Sequence, residues 1–262
     1  MSLPLTPQFL AGLTALLFVA GAVNGLAGFG FALVGTMTLA TAVAPATAVV
    51  FMIVPILGVN LSLVGELSAG ELRSCGRRFA PLLASAVLGT VAGMAAIDVL
   101  PESPLRLLLG VVSLGFVASA QPFVPVPGLN RAREGCFVET TPAMAGVGGL
   151  SGLLFGGTNV GVQLVAFLRG CDLSHGLFVG VVALVFLGLN AVRVAMAGAL
   201  GLYPGWGVLA VSVAAVVPAV AGVAVGQRLR ARVGERARRG VVLGLLTVIG
   251  LRLVGAGLGL LG

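Results

Sequence analysis

The sequence predicts an all-α, polytopic membrane protein of two inverted repeats, each a glycine-rich broken or re-entrant helix pair plus three transmembrane helices. Three observations lead there. Of the 262 residues, 58% are hydrophobic and 9% charged, with mean hydropathy +1.15, whereas a soluble domain carries about 25% charged residues. The apolar residues come in runs close to the roughly 20 that a helix needs to cross a bilayer, without the alternating segments of about ten residues that build a transmembrane barrel. The order of segments, a glycine-rich block and then three spans, occurs twice.

Taken in order, Gln8–Ala44 is an apolar block of 37 residues interrupted by the cluster Asn24–Gly30, a length that fits two short spans or a re-entrant pair. Pro45 closes it, and Ala46–Gly65 is a span. Glu66–Arg78 reads as a polar loop with three arginines. Phe79–Val99 and Leu105–Gln121 are spans around a short loop with Asp98, Pro101, Glu102 and Pro104. Pro122–Glu139 is the linker between an N-terminal repeat, 1–121, and a C-terminal repeat, 140–262, of one integral membrane domain. Thr140–Leu168 is the second glycine-rich block, followed by a short loop, Arg169–Ser174, and a span, His175–Leu200. Gly201–Gly205 is a turn in which Tyr203, with Trp206 beyond it, gives an interfacial aromatic pattern. Gly207–Gln227 spans, Arg228–Arg239 is the most basic segment, and Gly240–Leu260 is the last span.

Charge orients these spans. The net charge of +7 comes from arginine alone, and cytoplasmic loops carry the excess of positive residues. Placing Glu66–Arg78, Pro122–Glu139 and Arg228–Arg239 in the cytoplasm puts Asp98–Pro104 and Gly201–Gly205 outside. Equivalent loops of the two halves then lie on opposite sides, as in halves related by a pseudo-twofold axis in the membrane plane. The scheme returns Thr140–Leu168 to the side it left. Its 29 residues span about 43 Å as a helix, too short for two crossings of about 30 Å, and a re-entrant pair meeting near Gly156–Asn159 fits. Sparse identities support a duplication: a shift of 127 places Asn24-Gly25-Leu26 on Ser151-Gly152-Leu153, and a shift of 130 places Asn60 on Asn190.

The candidate site follows from the glycines. Glycine costs a helix interior about 1 kcal/mol relative to alanine, and unwound backbone is tolerated at membrane depth only inside protein or along a cavity. Helix ends meeting there aim free N–H groups inward and make an anion site. The candidate substrate-binding residues are therefore Asn24, Gly25, Gly28 and Gly30 in the first cluster, and Ser151, Gly156, Gly157, Thr158, Asn159 and Gln163 in the second. Small residues packing helices closely is the competing reading. Asn60 and Asn190 sit at equivalent depth and serve as interhelical glue or ligand donors. Arg252, near mid-span, is a candidate anion contact. Arg193 lies nearer a helix end, where snorkelling to the interface competes with a functional role. His175, beside Asp172, reads as interfacial.

Other chemistry is not indicated. Cys75, Cys136 and Cys171 are far apart and the chain has one histidine, so no metal site, redox motif or cofactor is expected. The basic balance is read as topology rather than nucleic-acid binding. The first seven residues carry no side-chain charge, unlike the start of a signal peptide. Gly149-Leu150-Ser151-Gly152 with His175 is the minimal form of an intramembrane serine protease, but the histidine falls at the far end of the next segment. No carboxylate falls inside a span, so a buried acid relay is not visible.

The segments NGLAGFGFALVG (Asn24–Gly35) with PATAVVFMIVPILGVNLSLVGE (Pro45–Glu66), and GGLSGLLFGGTNVGVQLVAFLRG (Gly148–Gly170) with the span containing Asn190, together resemble the TauE/SafE family of sulfite or sulfonate exporters. The likeness covers nearly the whole chain. It implies an inner-membrane, multi-pass transporter of a small sulfur-containing anion such as sulfite or an organosulfonate, and no enzyme. The expected partners are that anion and the lipid bilayer, with homodimerisation left open. A different anion or metabolite as cargo is the alternative.

Overall fold

A computed structural model describes residues 6–64, 68–96, 101–120, 140–159, 161–169, 175–203, 205–230 and 232–260. Among them are twelve helices and no strand. The first half contributes α1 (Pro7–Ala27), α2 (Phe31–Leu39), α3 (Pro45–Val64), α4 (Ala69–Arg78), α5 (Ala80–Ala96) and α6 (Glu102–Ala120). The second contributes α7 (Thr141–Thr158), α8 (Val162–Arg169), α9 (His175–Ala199), α10 (Trp206–Ala214), α11 (Val216–Leu229) and α12 (Glu235–Gly257). Four stretches are long and apolar enough to cross a membrane: Pro7–Ala27, Pro45–Val64, Leu177–Ala199 and Trp206–Leu229. The linker expected at Pro122–Glu139 lies outside the described residues.

Helix ends follow local chemistry. Thr6 caps α1 through its side chain, which accepts from the Phe9 N–H at 3.3 Å, with Pro7 in the first turn, where a missing N–H costs nothing. Prolines also explain two irregularities. Pro55 lies inside α3 and has no N–H for the carbonyl four residues back. That carbonyl, Phe51 O, instead accepts from the buried Ser212 hydroxyl of α10 at 2.6 Å. Pro218 likewise leaves the Ala214 carbonyl without its helical donor, and α10 passes into α11 at this point. Glu66–Arg78, expected as a loop, is largely helix: α4 occupies Ala69–Arg78, an amphipathic helix of nearly three turns whose arginines mask its helical pattern in a polar reading.

Packing pairs the halves crosswise. The most extensive contacts join α5 to α7 and α1 to α11, followed by α6 with α12 and α3 with α9. Exchanging α1–α6 for α7–α12 converts the first pair into the second and leaves the other two unchanged. The smaller pairs α5 with α9 and α3 with α11 exchange in the same way. Glycines set both crosswise contacts. A Cβ on Gly21 or Gly25 would strike the Ala219 or Val223 carbonyl of α11, and one on Gly222 or Gly226 the Phe18 or Ala22 carbonyl of α1. On the other side Gly148, Gly152 and Gly156 of α7 meet the backbone of α5 at Leu82, Ala86 and Thr90, while Gly89 and Gly93 of α5 meet Gly149 and Leu153. Small residues that let helix backbones touch are how membrane helices associate without a hydrophobic driving force.

Candidate functional site

Each glycine-rich block contains one helix break. In the first, α1 ends at Gly28, in the left-handed region (φ 79°), and its N–H returns to Asn24 O at 2.7 Å. Gly30 (φ 110°) then starts α2. Asn24 Oδ1 accepts the Phe31 N–H at 3.2 Å across the break and so caps the new helix. The next two amides, of Ala32 and Leu33, precede the first helical bond, Val34 N–H to Gly30 O, and are among the donors a helix start leaves open.

The second break has the same design with one substitution. α7 ends at Asn159, left-handed at φ 61°, with its N–H on Phe155 O at 2.9 Å. Among the described residues it is the one non-glycine with positive φ, a conformation asparagine tolerates better than other side chains. α8 follows, its first helical bond running from Val165 N–H to Gly161 O. Both blocks are thus unequal pairs, a long helix and then a short one. The breaks fall at Gly28–Gly30 and Asn159–Gly161.

The two breaks face one cavity of about 60 Å³. Its polar side chains are Asn24, Asn60 and Asn159, and the rest of the wall is backbone and apolar residues, among them Phe29, Phe31, Phe155 and Phe186. Phe155 and Phe186 stack with centroids 5.0 Å apart. Space for small occupants and the positive ends of α2 and α8 therefore coincide, which favours an anion.

Behind Asn159 lies a side chain that the sequence reading left as a snorkelling candidate. Arg193 of α9 is 0% exposed. Its Nη1 donates to Asn159 Oδ1 and, at 3.4 Å, to Asn190 Oδ1, and its Nη2 donates to Gly156 O at 3.2 Å. Nε lies 3.4 Å from Met94 Sδ of α5, and the guanidinium sits 4.9 Å from the Phe155 ring centroid. Every partner among the described residues is uncharged. The Tyr203 hydroxyl, in the turn after α9, is buried without a hydrogen-bond partner among the described residues. Burial pushes its pKa up to about 12, so it supplies no negative charge. Asn159 completes the network in the other direction, donating from Nδ2 to Thr36 Oγ1 of α2 at 2.9 Å and to Val49 O of α3 at 3.0 Å. One amide therefore ties α2 and α3 of the first half to α9 of the second.

Of the residues singled out in the sequence, Asn24, Gly28, Gly30, Asn60 and Asn159 line the cavity. Gly25 and Gly156 pack against α11 and α5, and Gly157 approaches Gly93 O. The Gly156 carbonyl still reaches the network through Arg193. Asn190 is buried with its Nδ2 on Phe186 O at 2.8 Å, the same bond that Asn60 makes to Ile56 O at 2.9 Å. Thr158 is buried, its hydroxyl donating to Leu154 O at 2.5 Å. Ser151 is buried in α7 and its hydroxyl has no hydrogen-bond partner among the described residues. Arg252 is exposed on α12 and absent from the cavity wall. The side chains of Gln163 and His175 lie outside the described residues. Thr36 and Met94 are members the sequence does not single out, and Arg193 is one for which it leaves snorkelling and a functional role both open.

A comparison with protein families finds one model, described as sulfite exporter TauE/SafE, matching residues 13–253. The chain belongs to the TauE/SafE family. That makes it a member of a family of membrane transporters for sulfur-containing anions, and its apolar helices make it a multi-pass membrane protein. No curated protein and no solved structure matches it. As a TauE/SafE protein it places both glycine-rich segments within the matched region, together with Asn60, Asn190 and Arg193.

Proposed function

We propose that this TauE/SafE protein exports a small sulfur oxyanion, sulfite or an organosulfonate, across the inner membrane, and holds it in the cavity between the two helix breaks. The observation that carries the reading is the convergence on one cavity of two helix N-termini and three asparagines, with a buried arginine, bonded to no charged group among the described residues, one side chain away. Anions lose their hydration on entering such a space and need fixed donors in return. Amides at helix starts supply them without mobile side chains.

Movement is proposed as alternating access, with two halves of opposite orientation rocking about the cavity. The crosswise exchange of helix pairs supports a duplicated architecture, and the distribution of arginine in the loops supports the inversion. Asn159 bonds α2 and α3 of the first half to Arg193 of the second, so movement between the halves has to pass through it. The protease reading has little to carry it. A serine nucleophile needs a base within hydrogen-bond reach, and the Ser151 hydroxyl has no partner among the described residues.

The test is thermal stability of the detergent-purified protein against sulfite, sulfate, thiosulfate, taurine, sulfoacetate and chloride. Stabilisation by one sulfur oxyanion and not by chloride is expected, and Asn60→Leu is expected to remove it while the variant still unfolds cooperatively. A flat response across the panel rejects the sulfur cargo.

A further inference from the structure

The two halves correspond residue by residue at the cavity, and the correspondence is lopsided. Pairing the left-handed C-caps of α1 and α7 sets Gly28 against Asn159, an offset of 131 (159 − 28), and with it Asn24 against Phe155 and Gly30 against Gly161. Pairing the buried amides of α3 and α9 sets Asn60 against Asn190, an offset of 130 (190 − 60), and Ile56 against Phe186. The hydrogen bonds agree, since each amide donates to the carbonyl of its paired residue, Ile56 or Phe186. The three pairs at the breaks and the pair Ile56–Phe186 all line the cavity from both sides. That part of the wall maps onto itself when the halves are exchanged.

The remainder does not. Val59, Asn60 and Leu63 of α3 line the cavity, while their counterparts Leu189, Asn190 and Arg193 of α9 are buried away from its wall. When the halves exchange conformations, the lopsided part crosses over. We propose that Asn190 and Arg193 form the second face of the anion site, sealed in the state seen here and lining the cavity in the state that opens the other way. This inference rests on the alternating-access reading above.

The consequence is electrostatic. At the position where this state presents Leu63, the other presents a guanidinium. Arg193 is now held by amide and peptide carbonyls and a thioether sulfur, acceptors weaker than an oxyanion, whose bonds to an arginine are charge-assisted and often bidentate. An anion entering the second state therefore replaces the contacts that keep Arg193 closed and favours that state, since a ligand shifts a conformational equilibrium by its differential affinity. The site binds more tightly from one membrane face than from the other.

The test uses sealed vesicles of a protein whose Cys75, Cys136 and Cys171 are serine, with Val59→Cys or Leu189→Cys added singly and a membrane-impermeant maleimide applied from one face at a time. Labelling of the two positions from opposite faces is expected. Labelling from the same face, or a transporting protein in which Val59→Cys reacts and Leu189→Cys never does, overturns the proposal. Ethanesulfonate flux from each face gives the second readout. Half-saturating concentrations that differ about tenfold or more are expected, equalised in Arg193→Gln and partly restored in Arg193→Lys; an asymmetry unchanged in Arg193→Gln overturns it. A protein that moves no sulfur anion yet labels at the two cysteines from opposite faces refutes the cargo assignment and leaves this inference standing.

Discussion

Asn159 joins two demands in one residue, a left-handed backbone and an amide that bonds in two directions. Two substitutions separate them. Asn159→Gly keeps the backbone conformation and removes the amide, leaving the buried Arg193 with one acceptor fewer; a buried group that loses its partner costs about 1–3 kcal/mol, more when charged. Asn159→Ala removes the amide and adds the left-handed penalty of about 1–2 kcal/mol. Both variants are expected to unfold more easily than the native protein in denaturant titrations followed by circular dichroism, with alanine the less stable. Equal stabilities would mean that the backbone conformation relaxes. The amide was legible in the sequence because an asparagine interrupting a glycine run at membrane depth has few other uses. Arg193 was not. Its distance from a helix end suggests snorkelling, but the face of α9 that carries it is set by the packing of α3 and α5, which a single sequence does not display. The same blindness made Arg252 look central when α12 turns it outward.

Among the helices, glycines of identical appearance have opposite roles. Gly152 of α7 lies on the Ala86 backbone of α5 with no room for a Cβ, whereas Gly146, less than two turns earlier, has nothing within 4 Å. Gly146→Ala is expected to stabilise the protein by up to about 1 kcal/mol through helix propensity. Gly152→Ala is expected to destabilise it by about 1–3 kcal/mol, because overpacking forces backbone to shift. Unfolding midpoints of the two variants in the same detergent decide the matter, and a loss of stability at both would show that propensity is not what Gly146 contributes. Pro55 gives a parallel case. Ser212→Ala leaves the Phe51 carbonyl without a donor in a buried position and is expected to cost about 1–3 kcal/mol. A midpoint unchanged in Ser212→Ala would mean that another donor takes that carbonyl. The helix breaks themselves were readable, because glycine clusters within apolar runs leave few alternatives. The division of each cluster into packing glycines and site glycines was not, since Gly25 and Gly28 differ only in which neighbour they face. α4 was read as a loop because its arginines dominate the composition while its amphipathic period is short.

At the scale of the whole molecule, the described residues of the cavity wall include no acidic side chain, which bears on how transport is driven. A cavity lined by amides, apolar groups and backbone offers no group that would carry a proton with the anion, so export is expected to run as uniport on the membrane potential. With the cytoplasm negative, an exiting monoanion gains about 2.3 kcal/mol per 100 mV, which corresponds to a concentration ratio of roughly fiftyfold at about 1.4 kcal/mol per tenfold. Ethanesulfonate suits the measurement because it stays singly charged across the usable pH range. In proteoliposomes loaded with it, a potassium diffusion potential of about 100 mV, negative inside, should speed efflux and move the final distribution toward that ratio. A pH gradient of either sign, with the potential clamped at zero, should leave the distribution even. Accumulation that follows the pH gradient and ignores the potential would overturn uniport and require a proton carrier beyond the described residues of the cavity wall.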